Sequence, residues 1–183
     1  MAASTVVQDI AAIATAAGFV VAAIALFQAK RVSRAQNFFT LTTFLQDPEV
    51  REARRRVLDA HDDGSVPEVW QEVEVDTDAF KVVLAAGPAA SSYDLTGRVV
   101  ELGYVDYEPF LDDWGPSIKK VFRTLRPFIL ERREQHRDDR YFDNFERLVE
   151  SVRCWENARS SPKALRRLAY ARERRRSARL ARS

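Results

Sequence analysis

A single cysteine among 183 residues excludes a disulfide framework and a four-thiolate zinc site. Glycine is almost as scarce. Gly18, Gly64, Gly87, Gly97, Gly103 and Gly115 are too dispersed to form a P-loop or a dinucleotide fingerprint. The two histidines, His61 and His136, are preceded three residues earlier by Leu58 and Arg133. The Glu-x-x-His pairs of a di-iron bundle are therefore missing. No serine sits in a nucleophile-elbow setting. Cys154, beside Trp155, reads as a packing residue, because a catalytic thiol needs an electropositive, accessible setting and a nearby base. No segment alternates apolar and polar residues over a strand length, and no internal repeat is present. No catalytic residue, metal ligand or cofactor is assigned, and the chain is not read as an enzyme.

Hydrophobic residues make up 46% and charged residues 31%, enough apolar material for a packed core. The net charge of +2 hides three blocks. Residues 1–34 carry Lys30, Arg31 and Arg34 against Asp9. Residues 35–162 carry 17 basic and 25 acidic side chains, a net of −8. Residues 163–183 carry 9 basic side chains against Glu173, a net of +8. An acidic body between basic ends is unlike a uniformly basic nucleic-acid binder. Arginine outnumbers lysine 24 to 5, a bias that fits a GC-rich bacterial genome.

The sequence holds one long apolar run. Ile10 to Phe27 is 18 residues without a charge, eight of them Ile, Val, Leu or Phe and eight of them Ala. As a helix it extends about 27 Å, close to the ~30 Å hydrocarbon core of a bilayer. Lys30, Arg31 and Arg34 follow it directly. By the positive-inside rule the N-terminus then faces out of the bacterial inner membrane and the bulk of the chain faces the cytoplasm. A signal peptide would need a basic segment before the run, and there is none. A soluble bundle would have to bury a helix that is apolar on every side. Ala14, Gly18 and Ala22 are four apart, a spacing that admits close helix packing and a homo-oligomer.

The body reads as helices with explicit ends. The first helix continues past the run, with Phe38, Leu41, Phe44 and Leu45 at helical spacing. Asp47-Pro48 is a cap followed by proline at the first helical position, and His61-Asp62-Asp63-Gly64 closes that helix. The Asp-rich turn is read as a polar helix end and not as a cation site. A loop with a short helix around Pro67 to Val73 follows. Asp76 or Thr77 caps a segment from Asp78 to Ala86. Gly87-Pro88 breaks or kinks it before a helix that ends at Gly103. Asp106 opens a short turn to Trp114, and Gly115-Pro116 starts a strongly amphipathic helix, kinked at Pro127. Phe122, Leu125 and Ile129 on that helix, with Phe145, Leu148 and Val152 on the next, are the predicted core. The fold class is all-α. An N-terminal transmembrane helix (1–34, with its basic flank) leads into a small antiparallel bundle (35–162) and a basic C-terminal helix or tail (163–183).

Tyr93-Asp94 and Gly97 fall in one helix, followed by Gly103-Tyr104-Val105-Asp106, Phe110, Leu125-Arg126-Pro127, Arg132-Arg133, Tyr141, Phe145 and Leu148. On these residues the stretch from Ala89 through Leu148 resembles a bacterial family known only as a domain of unknown function. Its members join one N-terminal membrane helix to a small cytoplasmic helical domain. Phe122 stands where the family pattern has tryptophan, keeping the aromatic bulk. The resemblance implies the layout and carries no activity, ligand or catalytic residue.

Two sets of residues are candidates for function. Tyr93, Asp94 and Arg98 could line a ligand pocket, with Asp94 and Arg98 forming an i,i+4 ion pair. The carboxylate pairs Asp112-Asp113 and Asp138-Asp139 read as caps and solvated surface. In the tail, Ser161-Pro162 opens a helix with Leu165, Leu168 and Ala169 as a short apolar stripe. Arg166, Arg167, Arg172, Arg174, Arg175, Arg176 and Arg179 would contact anionic lipid headgroups or another polyanion. Against this stands a solvated, frayed terminus. Nucleic acid is the poorer partner, since no aromatic stacking platform accompanies the charge. The preferred reading is a membrane-anchored accessory or interaction module. Its rivals are a ligand-sensing or enzymatic domain around Tyr93, Asp94 and Arg98, and a soluble helical adaptor. The identity of a protein partner is beyond the sequence.

Overall fold

The computed structural model describes the backbone of residues 2–67, 70, 73–162 and 165–180, and side chains from residue 22 to residue 175 within those limits. Among the described residues there are six helices and no strand. They are α1 (Ala2–Leu45), α2 (Pro48–Asp63), α3 (Asp78–Glu101), α4 (Tyr107–His136), α5 (Asp143–Arg159) and α6 (Arg166–Leu180).

The ends follow local chemistry. Asp47 accepts a hydrogen bond from the Glu49 N–H, and Pro48 takes the first helical position, where its missing N–H costs nothing. Gly64 closes α2 at φ +68°, a left-handed conformation that suits a residue without Cβ. Thr77, not Asp76, caps α3, its hydroxyl accepting from the Phe80 N–H at 3.1 Å. Arg137 ends α4 in the left-handed region, and Phe142 precedes α5 in the same conformation. Arg133 holds that turn together. Its guanidinium donates to the Tyr141 carbonyl and to Glu146, each at 2.9 Å.

The break offered at Gly87-Pro88 and the helix start expected at Gly115-Pro116 do not occur. α3 runs unbroken through Gly87-Pro88, and α4 through Gly115-Pro116 as well as Pro127. Glycine at 87 and 115 removes the Cβ part of the clash that turns a residue before proline away from the helix, whereas Arg126 keeps its Cβ and α4 passes Pro127 nonetheless. The start expected at Gly115-Pro116 therefore lies eight residues too late, since α4 begins at Tyr107. Of the segment around Pro67 to Val73, residues 68, 69, 71 and 72 lie outside the described residues. Trp70 is buried there, its ring 5.3 Å from that of Phe128.

α4 and α5 run antiparallel, since Phe122 meets Phe145 while Asp112 meets Trp155. α3 and α5 pair in the same sense across the bundle, with Asp94 at Phe145 and Glu101 at Arg147. Their approach depends on Gly97. A Cβ there would lie 2.7 Å from the Asn144 carbonyl carbon and 3.2 Å from Leu148 Cβ. Five of the six predicted core residues are buried, and Phe122 is half-buried against them.

α1 is a different kind of element. At 44 residues it is about 66 Å long. Among its described side chains, those of the last turns meet the bundle. Leu41 and Leu45 are buried, Phe38 and Phe44 pack beside them, and Asn37 Nδ2 donates to the Tyr104 carbonyl at 3.1 Å. Every side chain from 22 to 36 is exposed. Among the described residues no helix is long and apolar enough to cross a membrane. The side chains of residues 10–21, most of the apolar run, lie outside that set.

The tail is helical and docked. Tyr170 is buried, stacked on Tyr107 at 4.4 Å and edge-on to Trp155. Of the expected apolar stripe, Leu165 and Leu168 face away and are exposed, while Ala169 packs against the core. The aromatic cluster and the Arg167–Glu108 ion pair set the rotation of α6 instead.

Candidate functional site

Tyr93, Asp94 and Arg98 do not converge. Tyr93 is buried, its ring stacked on Phe145 at 5.2 Å and its hydroxyl 2.8 Å from the Ser117 hydroxyl. Burial raises its pKa, while Ser117 and the Arg54 charge oppose that shift. Asp94 does not pair with Arg98. Its carboxylate accepts from Phe145 N–H and Asn144 Nδ2, both at 3.0 Å. The N–H groups at the start of α5 have no partner within their own helix, and a carboxylate there also meets the positive end of the helix dipole. Arg98 points outward on α3 and is exposed. Tyr93 and Asp94 belong to the packing seam between α3 and α5, and Arg98 lies outside it.

The residue that stands out is one the sequence reading passed over. Arg54 lies in a run of three arginines, yet only 5% of it is exposed. Its guanidinium sits 5.6 Å from the Tyr93 ring centre and 5.1 Å from that of Trp114. One terminal nitrogen donates to the carbonyl of Leu45, the last residue of α1. The other is buried with no hydrogen-bond partner among the described residues. Burial lowers the arginine's pKa, opposed only by Tyr93. Among the described residues no carboxylate pairs with it. Two aromatic faces and the negative end of the α1 dipole take that place. The signal was available, because Arg54 lies on the same helical face as Ala53, Val57 and Ala60, which are all buried.

Above Arg54, α2 and α4 enclose an open cleft of about 540 Å³. Its acids are already engaged. Glu52 is held by Arg55 and Arg56, which pull its pKa down to about 2. Asp59 meets Arg55, and Asp62 meets Lys120 at 2.7 Å. The reading of His61-Asp62-Asp63 as a plain helix end agrees with this, Asp62 being tied to α4. Among the described residues no group of three His, Cys, Asp or Glu side chains could hold a metal ion.

Removing Arg54 tests what holds α1 to the bundle. Arg54→Ala orphans the Leu45 carbonyl, costing about 1–3 kcal/mol. It also removes two ring contacts of roughly 0.5–2 kcal/mol each. Relief of the buried charge offsets part of this. A net loss of about 2–4 kcal/mol is expected, read as a lower urea midpoint with an unchanged slope. Arg54→Lys should recover less than half, since an ammonium cannot lie flat between two rings while reaching Leu45.

The tail arginines separate into groups. Arg166 donates to the Ser161 carbonyl at 3.3 Å. Arg167 pairs with Glu108 and lies 4.0 Å from Asp106. Arg172 and Arg175 are exposed, and Arg174 is half-buried. The side chains of Arg176 and Arg179 lie outside the described residues. Arg167 and Arg174 share a cavity of about 310 Å³ with Arg34 of α1. Asp112 bonds Trp155 Nε1 and Arg159, and Asp138 caps the Arg140 N–H, so both act structurally.

The family model for the domain of unknown function DUF4760 matches residues 12–153, most of the chain. The protein belongs to that family. No curated protein and no solved structure matches it. The motif residues of the resemblance fall in the α3–α5 seam, the α3–α4 connection, α4 and the turn held by Arg133.

Proposed function

We propose that this DUF4760 protein is a membrane-anchored helical interaction module. Residues 10–27 of α1 cross the cytoplasmic membrane with the N-terminus outside, and α2–α6 are carried on the cytoplasmic side. One observation supports this best. α1 projects beyond the bundle with Ile24, Leu26 and Phe27 at 53, 73 and 73% exposure. Transfer of the exposed parts of these three side chains alone to an apolar medium is worth roughly 3–6 kcal/mol. Lys30, Arg31 and Arg34 then lie on the cytoplasmic flank. The outward face of α3 favours an interaction role. Leu84, Leu95 and Leu102 are exposed there at spacings of 11 and 7, close to whole helical turns, with Arg98 among them.

Fractionation of cells producing the full chain tests the anchor. Expected are retention in membranes after carbonate washing and a cytoplasmic signal from a reporter fused after Ser183. Release by carbonate would overturn the proposal in favour of an adaptor whose first helix packs into a partner protein. Val20→Arg places a charge in the run at about 2.5–3.5 kcal/mol on the insertion scale and should lower the membrane-inserted fraction.

A further inference from the structure

Helical spacing sets the direction of the basic flank. Lys30, Arg34, Asn37 and Leu41 stand at i, i+4, i+7 and i+11, one face of α1. Asn37 and Leu41 on that face touch the bundle, so Arg34 is held over its rim. There it meets α6. Arg34, Arg167 and Arg174 line the cavity of about 310 Å³, with Tyr107 and Tyr170 among its walls.

Charge within the cavity is unevenly satisfied. Glu101 is occupied by Arg147 at 3.2 Å, and Asp106 lies 4.0 Å from Arg167. Arg167 is committed to Glu108. Arg34 and Arg174 pair with no carboxylate among the described residues. Height above the membrane is the second constraint. Arg34 follows Phe27 by seven residues, about 10 Å along the helix. The polar layer on each side of the hydrocarbon core is roughly 5–8 Å deep. With the run as anchor, Arg34 lies just past the cytoplasmic edge of that layer, where a long side chain still reaches the headgroups, and Arg174 shares its cavity beside tyrosine side chains suited to such an interface.

We propose that the cavity between α1 and α6 binds the phosphate of an anionic phospholipid headgroup. Arg34 and Arg174 are its ligating side chains, and α6 lies against the membrane surface. The proposal rests on the anchor reading above. Guanidinium offers paired, planar donors that match phosphate oxygens, which is why two arginines select phosphate over bulk anions. Arg167 positions α6 through Glu108 and Asp106. The tail acts as one wall of a site that α1 completes.

The test uses the purified full chain in dodecyl maltoside. It is titrated with dihexanoyl phosphatidylglycerol, dihexanoyl phosphatidylcholine or inorganic phosphate, with intrinsic fluorescence and melting temperature as readouts. Half-saturation by the anionic lipid should come at a concentration at least tenfold lower than by the zwitterionic one. It should weaken at least tenfold between 50 and 500 mM salt, as roughly expected for a screened contact. Arg34→Gln/Arg174→Gln should reduce the response to the zwitterionic level, Arg34→Gln alone should reduce it in part, and Arg140→Gln should leave it unchanged. Equal binding of the two lipids, unchanged binding by the double variant, or equal binding of free phosphate would each overturn the proposal. Failure of the anchor is read separately, as carbonate release of the wild-type chain.

Discussion

Gly97→Ala should destabilise the bundle although alanine is the better helix former. Helix propensity favours the substitution by about 1 kcal/mol. Packing opposes it. The new Cβ would meet the Asn144 carbonyl group well inside van der Waals contact, and backbone cannot move aside as a side-chain tip can. α3 and α5 would have to separate, and this pair is the most extensive helix contact among the described residues. Overpacking typically costs about 1–3 kcal/mol and more where the obstacle is rigid. The same shift would lengthen the bonds from Asp94 to Phe145 and Asn144, now 3.0 Å each. A net loss above about 3 kcal/mol is expected, which lowers the melting temperature by roughly 6–12 °C for a chain of this size. Gly97→Val should leave little folded protein, since domains are stable by only about 5–15 kcal/mol. Leu95→Ala, two residues away and exposed, is the control and should stay within about 0.5 kcal/mol. A Gly97→Ala melt equal to wild type would show that α3 and α5 do not approach this closely.

Local rules account for much of this fold. Asp47-Pro48, Gly64 and Thr77 mark helix ends through groups within a few residues of each other. The stripes at Leu125–Ile129 and Phe145–Val152 mark the core through periodicity alone. What was missed depends on partners distant in sequence. Reading Asp94 against its own helix gives Arg98, a solvent-exposed pair worth a few tenths of a kcal/mol. The fold offers instead the orphan N–H groups of α5, about 50 residues away, and a hydrogen bond to a charged group is worth roughly 1.5–3 kcal/mol. Arg54 was hidden by composition, because a run of three arginines looks like a solvated face. The helical wheel alone singles it out. In the tail, leucine content pointed to the wrong face. Tyr170, a lone aromatic in a basic segment, fixes the helix by stacking on Tyr107 and meeting Trp155 edge-on.

Phe145→Ala should cost about 3–5 kcal/mol, the range for a fully buried phenylalanine. The ring is completely buried, stacked on Tyr93 at 5.2 Å and edge-on to Phe122 at 5.1 Å. Truncation removes its transfer free energy and leaves a void at the meeting point of α3, α4 and α5. It also forfeits two aromatic pairs, each worth roughly 0.5–1.5 kcal/mol beyond burial. The backbone N–H of residue 145 stays bonded to Asp94, so the cap survives and the loss reports packing alone. Phe122→Ala should cost less, because that ring is only half-buried. A double-mutant cycle between the two should return a coupling of about 0.5–1.5 kcal/mol in urea unfolding. The phenol of Tyr93 supplies an independent readout. Burial is the main cause of its raised pKa, and the void admits water beside its ring. Ultraviolet titration of Phe145→Ala should therefore show the buried tyrosine ionising nearer its ordinary value than in the wild-type chain. An unfolding midpoint within error of wild type, with that titration unmoved, would mean that the Tyr93–Phe145–Phe122 stack does not hold the three helices together.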